Sequence, residues 1–181
     1  MKIKIVKDSN PIMHQRSLEV PMPLSDKDRE LLDAMLNHLK LSQDEEYRTK
    51  HNIREGVGLA AIQTGHLKRM FVIYYQKEDG EIVQYQLVNP KMVENSIKKC
   101  ALKNGEGCLS VDQEHSGLAH RHYKIRLRAF DALQNKDIEI EASGFDAVVL
   151  QHEYDHLDGI FFYDRIDKYK PLEQLPNEVI I

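Results

Sequence analysis

The sequence SGFDAVVLQHEYDHLDG, residues 143–159, joins an apolar run to two histidines that are four positions apart. Helical spacing places His152 and His156 one turn apart on one face, and Gly159 is suited to ending the helix. Two imidazoles at this separation can bind one divalent cation, and Glu153 is near enough to move a proton on a water that the cation binds. Because burying unpartnered histidines is costly, a ligand would explain them. The alternative is an exposed helix end whose histidines are hydrogen bonded.

The middle of the chain has a residue pattern that is typical of β-strands. Four segments are rich in β-branched and aromatic residues or alternate in polarity, which is typical of strands. Before them, Ser25 is a suitable N-cap for a helix whose apolar residues recur at helical spacing over 31–39. The sequence therefore predicts an α+β fold, with antiparallel and mixed β-strands around a central H-E-x-x-H helix and an additional N-terminal helix. The strand segments are 70–76, 81–89, 124–130 and 138–142.

Length and composition are those of a soluble globular protein. The chain has 181 residues, 41% hydrophobic and 30% charged, which predicts one domain over residues 1–181. A formal net charge of -4 gives no global positive field for nucleic acid. The N-terminus lacks the apolar core of a signal peptide and no segment approaches membrane-spanning length, so we expect a cytoplasmic protein. Two cysteines make a disulfide framework improbable there.

A catalytic metal usually takes three protein ligands and leaves one position open, so a third ligand is expected outside the helix. The segment NGEGCLS, residues 104–110, is suited to supplying it. Gly105 and Gly107 free the backbone for close approach, and Cys108 offers a thiolate. The alternative is that Cys108 is a small buried hydrophobic residue, which is common for free cysteines.

A second glycine-rich segment, EGVGLAAIQ, covers residues 55–63. Gly56 and Gly58 are unfavourable in a regular strand and indicate an unusual turn or a close backbone approach. Gln63 ends the segment with a neutral amide that can donate to a developing oxyanion. The alternative is a glycine-rich loop that enters a helix, with Gln63 facing solvent.

In this order, GVGLAAIQ, EGCLS and QHEYDHLDG resemble the three signature motifs of peptide deformylases, and the surrounding strands match over almost the whole chain. The extended C-terminal tail PLEQLPNEVII makes the sequence more similar to the type 2 bacterial branch. The resemblance implies a metal-dependent hydrolase that removes the formyl group from the N-terminal N-formylmethionine of newly synthesised bacterial proteins. Its implied partners are N-formylmethionyl peptides and nascent chains, with transient ribosome contact, and neither DNA nor a membrane.

The resemblance also implies roles for particular residues. Cys108, His152 and His156 correspond to the three metal ligands of the family, and Glu153 corresponds to its catalytic acid/base. One divalent metal ion is implied, Fe(II) under physiological conditions, while Zn, Ni or Co can occupy the same site in purified protein.

The resemblance further implies which groups contact the oxyanion and the substrate. Gln63 and the backbone N–H of Leu109 correspond to the oxyanion donors, and Gly58 corresponds to an open backbone position beside the substrate. An extended peptide could add to the Gly58 segment as an extra strand. An apolar pocket is expected for the methionine, although core packing is an alternative role for its candidate walls. Those walls are Val57, Val148 and Val149.

Three other functions remain open from the sequence. A closed structural zinc site would add Cys100 as a fourth ligand, but it would leave Glu153 without a role. A zinc peptidase of the H-E-x-x-H kind would take its third ligand downstream of the helix and would give Cys108 no role. An RNA-binding module could use the basic segment HRHYKIRLR, residues 120–128, although its alternation is typical of a solvated strand face.

The basic segment contains Arg121, which could instead support the metal site by pairing with Glu106 or Asp155. The sequence does not choose between the two carboxylates.

Overall fold

A computed structural model describes residues 3–181. Its first long helix, α1, spans Asp26–Gln43 and begins at Ser25, whose hydroxyl accepts a hydrogen bond from the Asp28 N–H as predicted. One face of α1 is buried, and a short helix α2, Glu45–His51, follows directly. No helix in residues 3–181 is both long enough and apolar enough to cross a membrane.

Within residues 3–181, eight strands form two sheets. The larger sheet has the order β1-β2-β3-β6-β7, and every neighbouring pair in it is antiparallel. In the smaller sheet β4 lies between β5 and β8, antiparallel to the first and parallel to the second. The strands are β1 (Gly58–Ala60), β2 (Met70–Gln76), β3 (Ile82–Asn95), β4 (Lys99–Ala101), β5 (Arg121–His122), β6 (Lys124–Asp131), β7 (Lys136–Ser143) and β8 (Val179–Ile180).

Helix α3, Phe145–His156, carries the two histidines and packs against β1, β5 and β7. Its residues are largely buried, because it covers the apolar face of the larger sheet while α1 covers a second apolar cluster. The helix is followed by Gly159 at φ +72°, the left-handed region that glycine tolerates. The predicted class, helices combined with a largely antiparallel sheet, is confirmed.

The elements around α3 bring distant parts of the chain to one place. β1 carries Gly58 and is followed by a single 3-10 turn, Ala61–Thr64, that contains Gln63. The loop after β4 contains Cys108, and β5 contributes Arg121. The three glycine, cysteine and histidine motifs therefore reach the same side of the molecule.

Candidate metal centre

Three potential metal ligands converge beside α3, and one of them, His156, is buried. One ligand atom each from Cys108, His152 and His156 lies within 4.8 Å of the other two. The Cys108 Sγ is 3.3 Å from the Nε2 of His156, and the two imidazole rings are 4.9 Å apart between centroids. The chain thus brings together the three residues that the resemblance implied.

Cys100 does not belong to this cluster. Its side chain is fully buried in β4, and its Sγ faces the His122 carbonyl oxygen at 3.8 Å. Burial raises the pKa of the Cys100 thiol to about 11, so this thiol stays protonated near neutral pH. A closed four-ligand site that uses Cys100 has no support in this geometry.

Glu153 is buried and lines the same cavity as Cys108 and His152. Its Oε2 has no hydrogen-bond partner within the part of the chain that the structure describes. Burial raises the pKa of Glu153 to about 7, against the opposing effect of nearby positive charge. A carboxyl group in this state can exchange a proton near neutral pH.

Gly58 makes room for the Glu153 carboxyl. A Cβ atom built on Gly58 would lie 2.6 Å from the Glu153 Cδ and 2.7 Å from its Cγ. No side chain at position 58 fits beside Glu153 in this arrangement. The close backbone approach that the sequence predicted for the glycine-rich segment is therefore present, and it is directed at Glu153.

A buried chain of ionic hydrogen bonds supports His152. Its Nδ1 is 2.7 Å from Glu106 Oε2, and both Glu106 oxygens accept hydrogen bonds from Arg121, at 2.8 and 2.9 Å. Arg121 also donates to Asp155, which accepts two further hydrogen bonds from Arg165. Arg121 thus pairs with both carboxylates that the sequence had offered as alternatives.

These hydrogen bonds fix the charge of Glu106 as well as the position of the His152 ring. Burial alone would raise the pKa of Glu106, but the hydrogen bonds from His152 and Arg121 lower it to about 2. Glu106 is therefore an anion. Because it occupies Nδ1 of His152, the Nε2 of that ring is left to serve as the ligand atom.

Gln63 is buried, with 1% of its surface exposed, so the alternative of a solvent-facing glutamine is wrong. Its Oε1 accepts a hydrogen bond from the Ala60 N–H. Its Nε2 donates to Ser110 Oγ at 3.1 Å and faces the Cys108 Sγ at 3.5 Å. The amide is directed at the site, and the Leu109 N–H has no hydrogen-bond acceptor among residues 3–181.

A cavity of about 340 Å³ opens over these groups. Its walls include all three predicted valines, Val57, Val148 and Val149. Leu102 and Phe145 complete the apolar wall and were not predicted from the sequence. Phe145 precedes Val148 by about one turn of α3, whereas Leu102 reaches the valines only in the folded chain.

The donor set suits a transition metal. One thiolate and two imidazoles are ligands for zinc, iron, cobalt or nickel, and three protein ligands leave a position for water or substrate. The His152 ring is already oriented by a carboxylate, as metal-binding histidines usually are. The residues present therefore fit a catalytic metal ion.

Comparison with known proteins shows the family of this chain. A family model described as Polypeptide deformylase matches residues 2–172. The chain belongs to the polypeptide deformylase family. The peptide deformylase of Macrococcus caseolyticus is 45% identical over 98% of this chain and 96% of the relative. Peptide deformylase 2 of Bacillus subtilis is 40% identical, also over 98% and 96%. The family prediction is confirmed, and the deformylase family is a family of hydrolases.

Solved deformylase structures share the fold. The peptide deformylase of Ehrlichia chaffeensis has a TM-score of 0.74 and 31% sequence identity, covering 94% of this chain and 91% of that one. A Met-Ala-Ser-bound class I type b peptide deformylase of Acinetobacter baumannii has a TM-score of 0.71 and 29% identity, covering 92% and 99%.

Proposed function

We propose that this chain acts as a single catalytic domain over residues 1–181 and removes the formyl group from the N-formylmethionine of newly made proteins. Cys108, His152 and His156 hold one divalent cation, with Fe(II) as the physiological metal. The observation that carries the proposal is the convergence of these three ligand atoms beside a buried, unpartnered carboxyl group, Glu153. Membership of the deformylase family supports the reaction.

The reaction joins a water oxygen to the formyl carbon and breaks the bond from that carbon to the methionine nitrogen. When bound, the cation would supply Lewis-acid chemistry by lowering the pKa of a coordinated water and polarising the formyl oxygen. Glu153 takes the proton that the water loses and returns it to the leaving amine, so that formate and a free N-terminus are released. Because burial favours the neutral form of Glu153 more than in an exposed carboxyl group, this residue is suited to act first as a base and then as an acid.

The developing oxyanion needs hydrogen-bond donors. Leu109 and Gln63 both line the cavity, and the Leu109 N–H is unpartnered among the described residues. Gln63 carries two N–H groups, so it can keep its bond to Ser110 while the N–H that now faces the Cys108 Sγ turns toward substrate. Losing one such donor typically costs about 3 kcal/mol in the barrier.

The substrate peptide is expected to extend along β1. This strand lies at the edge of the larger sheet, paired on one side with β2, so its other edge can bond to an added strand. Main-chain bonding of this kind is largely independent of side chains beyond the methionine. The apolar wall then receives the methionine side chain, and its valines are Val57, Val148 and Val149.

The proposed substrate also indicates where the enzyme acts and which partners it meets. We expect it to act in the cytoplasm on nascent chains, with transient ribosome contact and no partnership with DNA or membranes. The structural neighbour that holds Met-Ala-Ser supports a peptide ligand with an N-terminal methionine.

The test is formate release from formyl-Met-Ala-Ser, compared with cleavage of the unformylated peptide. We expect stoichiometric formate and Met-Ala-Ser from the first peptide, with the bonds between its residues intact. A zinc peptidase of the H-E-x-x-H kind would instead cut those bonds in both peptides. Absence of formate from the metal-loaded protein would contradict the proposal.

A further inference from the structure

Arg54 donates three hydrogen bonds to the cysteine loop, although it directly precedes the glycine-rich segment at 55–63. It stands two positions before Gly56, and its side chain crosses to the turn at 108–111. One guanidinium nitrogen donates to the Cys108 and Leu109 carbonyl oxygens, at 2.7 Å each. The other donates to the Val111 carbonyl oxygen at 3.0 Å.

These bonds fix the orientation of one particular peptide group. The Cys108 carbonyl and the Leu109 N–H belong to the same planar unit, in which a trans peptide directs the N–H opposite to the C=O. Holding the carbonyl oxygen at Arg54 therefore directs the Leu109 N–H away from Arg54. That N–H is the donor that we assigned to the oxyanion, and it bonds to no other group in residues 3–181.

Packing reinforces the same arrangement. A Cβ built on Gly56 would lie 2.8 Å from Leu109 Cδ1, so the glycine backbone is pressed against the Leu109 side chain. Lys7 adds a hydrogen bond to the Leu109 carbonyl at 3.1 Å and pairs with Asp112 at 2.7 Å. The turn is therefore held on its carbonyl side by two cations and on its side-chain face by the glycine segment.

We propose that Arg54 is a positioning residue that fixes the Cys108–Leu109 peptide group and thereby aims both the thiol and the Leu109 N–H at the reaction site. The effect on catalysis rests on the proposed function, whereas the effect on the loop does not. A guanidinium is needed because its planar fork reaches several carbonyl oxygens at once, which a single ammonium cannot do.

The loop is tested first, in metal-free protein. Amide hydrogen exchange is compared in wild type, Arg54→Ala and Arg48→Ala, since Arg48 pairs with Glu55 and contacts no carbonyl of the turn. The Val111 N–H, which bonds to the Cys108 carbonyl at 3.2 Å, reports on the turn. We expect its exchange to accelerate about tenfold or more in Arg54→Ala and to stay unchanged in Arg48→Ala. Equal rates in wild type and Arg54→Ala would overturn the proposal.

Catalysis is tested second, with metal-loaded protein and formyl-Met-Ala-Ser. We expect Arg54→Ala to lower kcat about 10- to 100-fold with little change in KM. The Leu109 N–H would no longer be held in the orientation that the oxyanion needs, while the apolar pocket would remain. Arg54→Lys should recover only part of kcat, and it also serves if Arg54→Ala does not fold. Added guanidinium should partly restore Arg54→Ala, which a general loss of structure would not allow.

The two measurements separate the two proposals. If wild type released no formate, the proposed function would fail, and the exchange comparison would still decide whether Arg54 holds the turn. If Arg54→Ala kept wild-type kcat in an otherwise active protein, the assignment of Arg54 as a positioning residue for catalysis would be overturned.

Discussion

Replacing Gly58 with alanine should displace Glu153. The new Cβ would lie 2.6 Å from the Glu153 Cδ, whereas an ordinary contact between carbon atoms is about 3.5–4.0 Å. The carboxyl group must therefore move by about 1 Å, unless the β1 backbone moves instead. A misplacement of about 1 Å in catalytic geometry costs on the order of 100-fold in rate, equivalent to about 2.7 kcal/mol.

The assay is kcat for formate release, with metal content measured in the same samples. We expect kcat to fall about 100-fold while the cation remains, because the three atoms nearest to the new methyl group all belong to Glu153, which is not a metal ligand. The steric cause is isolated by a double-mutant cycle with Glu153→Ala, which removes the atoms that the methyl group would meet.

In wild type, overpacking at Gly58 should cost about 1–3 kcal/mol in the free energy of unfolding. In the Glu153→Ala background this cost should largely disappear. Equal destabilisation in both backgrounds, or unchanged kcat in Gly58→Ala, would refute the idea that Gly58 exists to admit Glu153.

Three further predictions follow from the polar groups. Glu153→Ala should abolish formate release while the metal stays bound, as judged by elemental analysis; surviving turnover would exclude Glu153 as the acid/base. Glu106→Gln should weaken metal affinity about 10- to 100-fold in a titration of metal-free protein, because His152 loses its anionic partner; unchanged affinity would argue against that support. Burial raises the pKa of Asp28, but hydrogen bonds outweigh it, chiefly that from Lys68, and hold the pKa below 3.8. Asp28 therefore stabilises the fold above its ordinary pKa and loses this effect as pH falls through the lowered value, so urea unfolding should show a wild-type advantage over Asp28→Asn that shrinks in acid. An advantage independent of pH would contradict this assignment.

Local patterns were sufficient to predict several elements of the fold. Residues 70–76 have the apolar, β-branched character of a buried strand, and β2 has those same bounds. The N-cap at Ser25 was equally predictable, because a hydroxyl directly before an acidic first turn can accept a hydrogen bond from a free N–H of the helix.

Other elements depended on tertiary contacts. The segment 81–89 was predicted to end near Pro90, which cannot donate to a ladder, but β3 continues to Asn95. A register shift between Val88 and Lys91 lets the strand pass the proline. The two-residue strand β8 is too short to have a pattern, and it exists because β4 offers it a parallel partner.

In the site too, some features follow from the local sequence and others depend on tertiary contacts. Spacing within the motifs was sufficient to predict the candidate ligands and Glu153, since these depend on neighbours along one helix or one loop. The shared pairing of Arg121 and the reach of Arg54 across 54 positions to Cys108 depend on how separate segments meet. A charged residue in a polar segment gives no sign of such a distant partner.

The central claim is that one thiol and two imidazoles hold a single cation. It is tested most directly by X-ray absorption spectroscopy on anaerobically purified protein, combined with elemental analysis. The account predicts one transition-metal ion per chain with one sulfur and two imidazole nitrogens in its coordination shell, and loss of the ion in His156→Ala. An ion coordinated without sulfur, or full occupancy in His156→Ala, would contradict it.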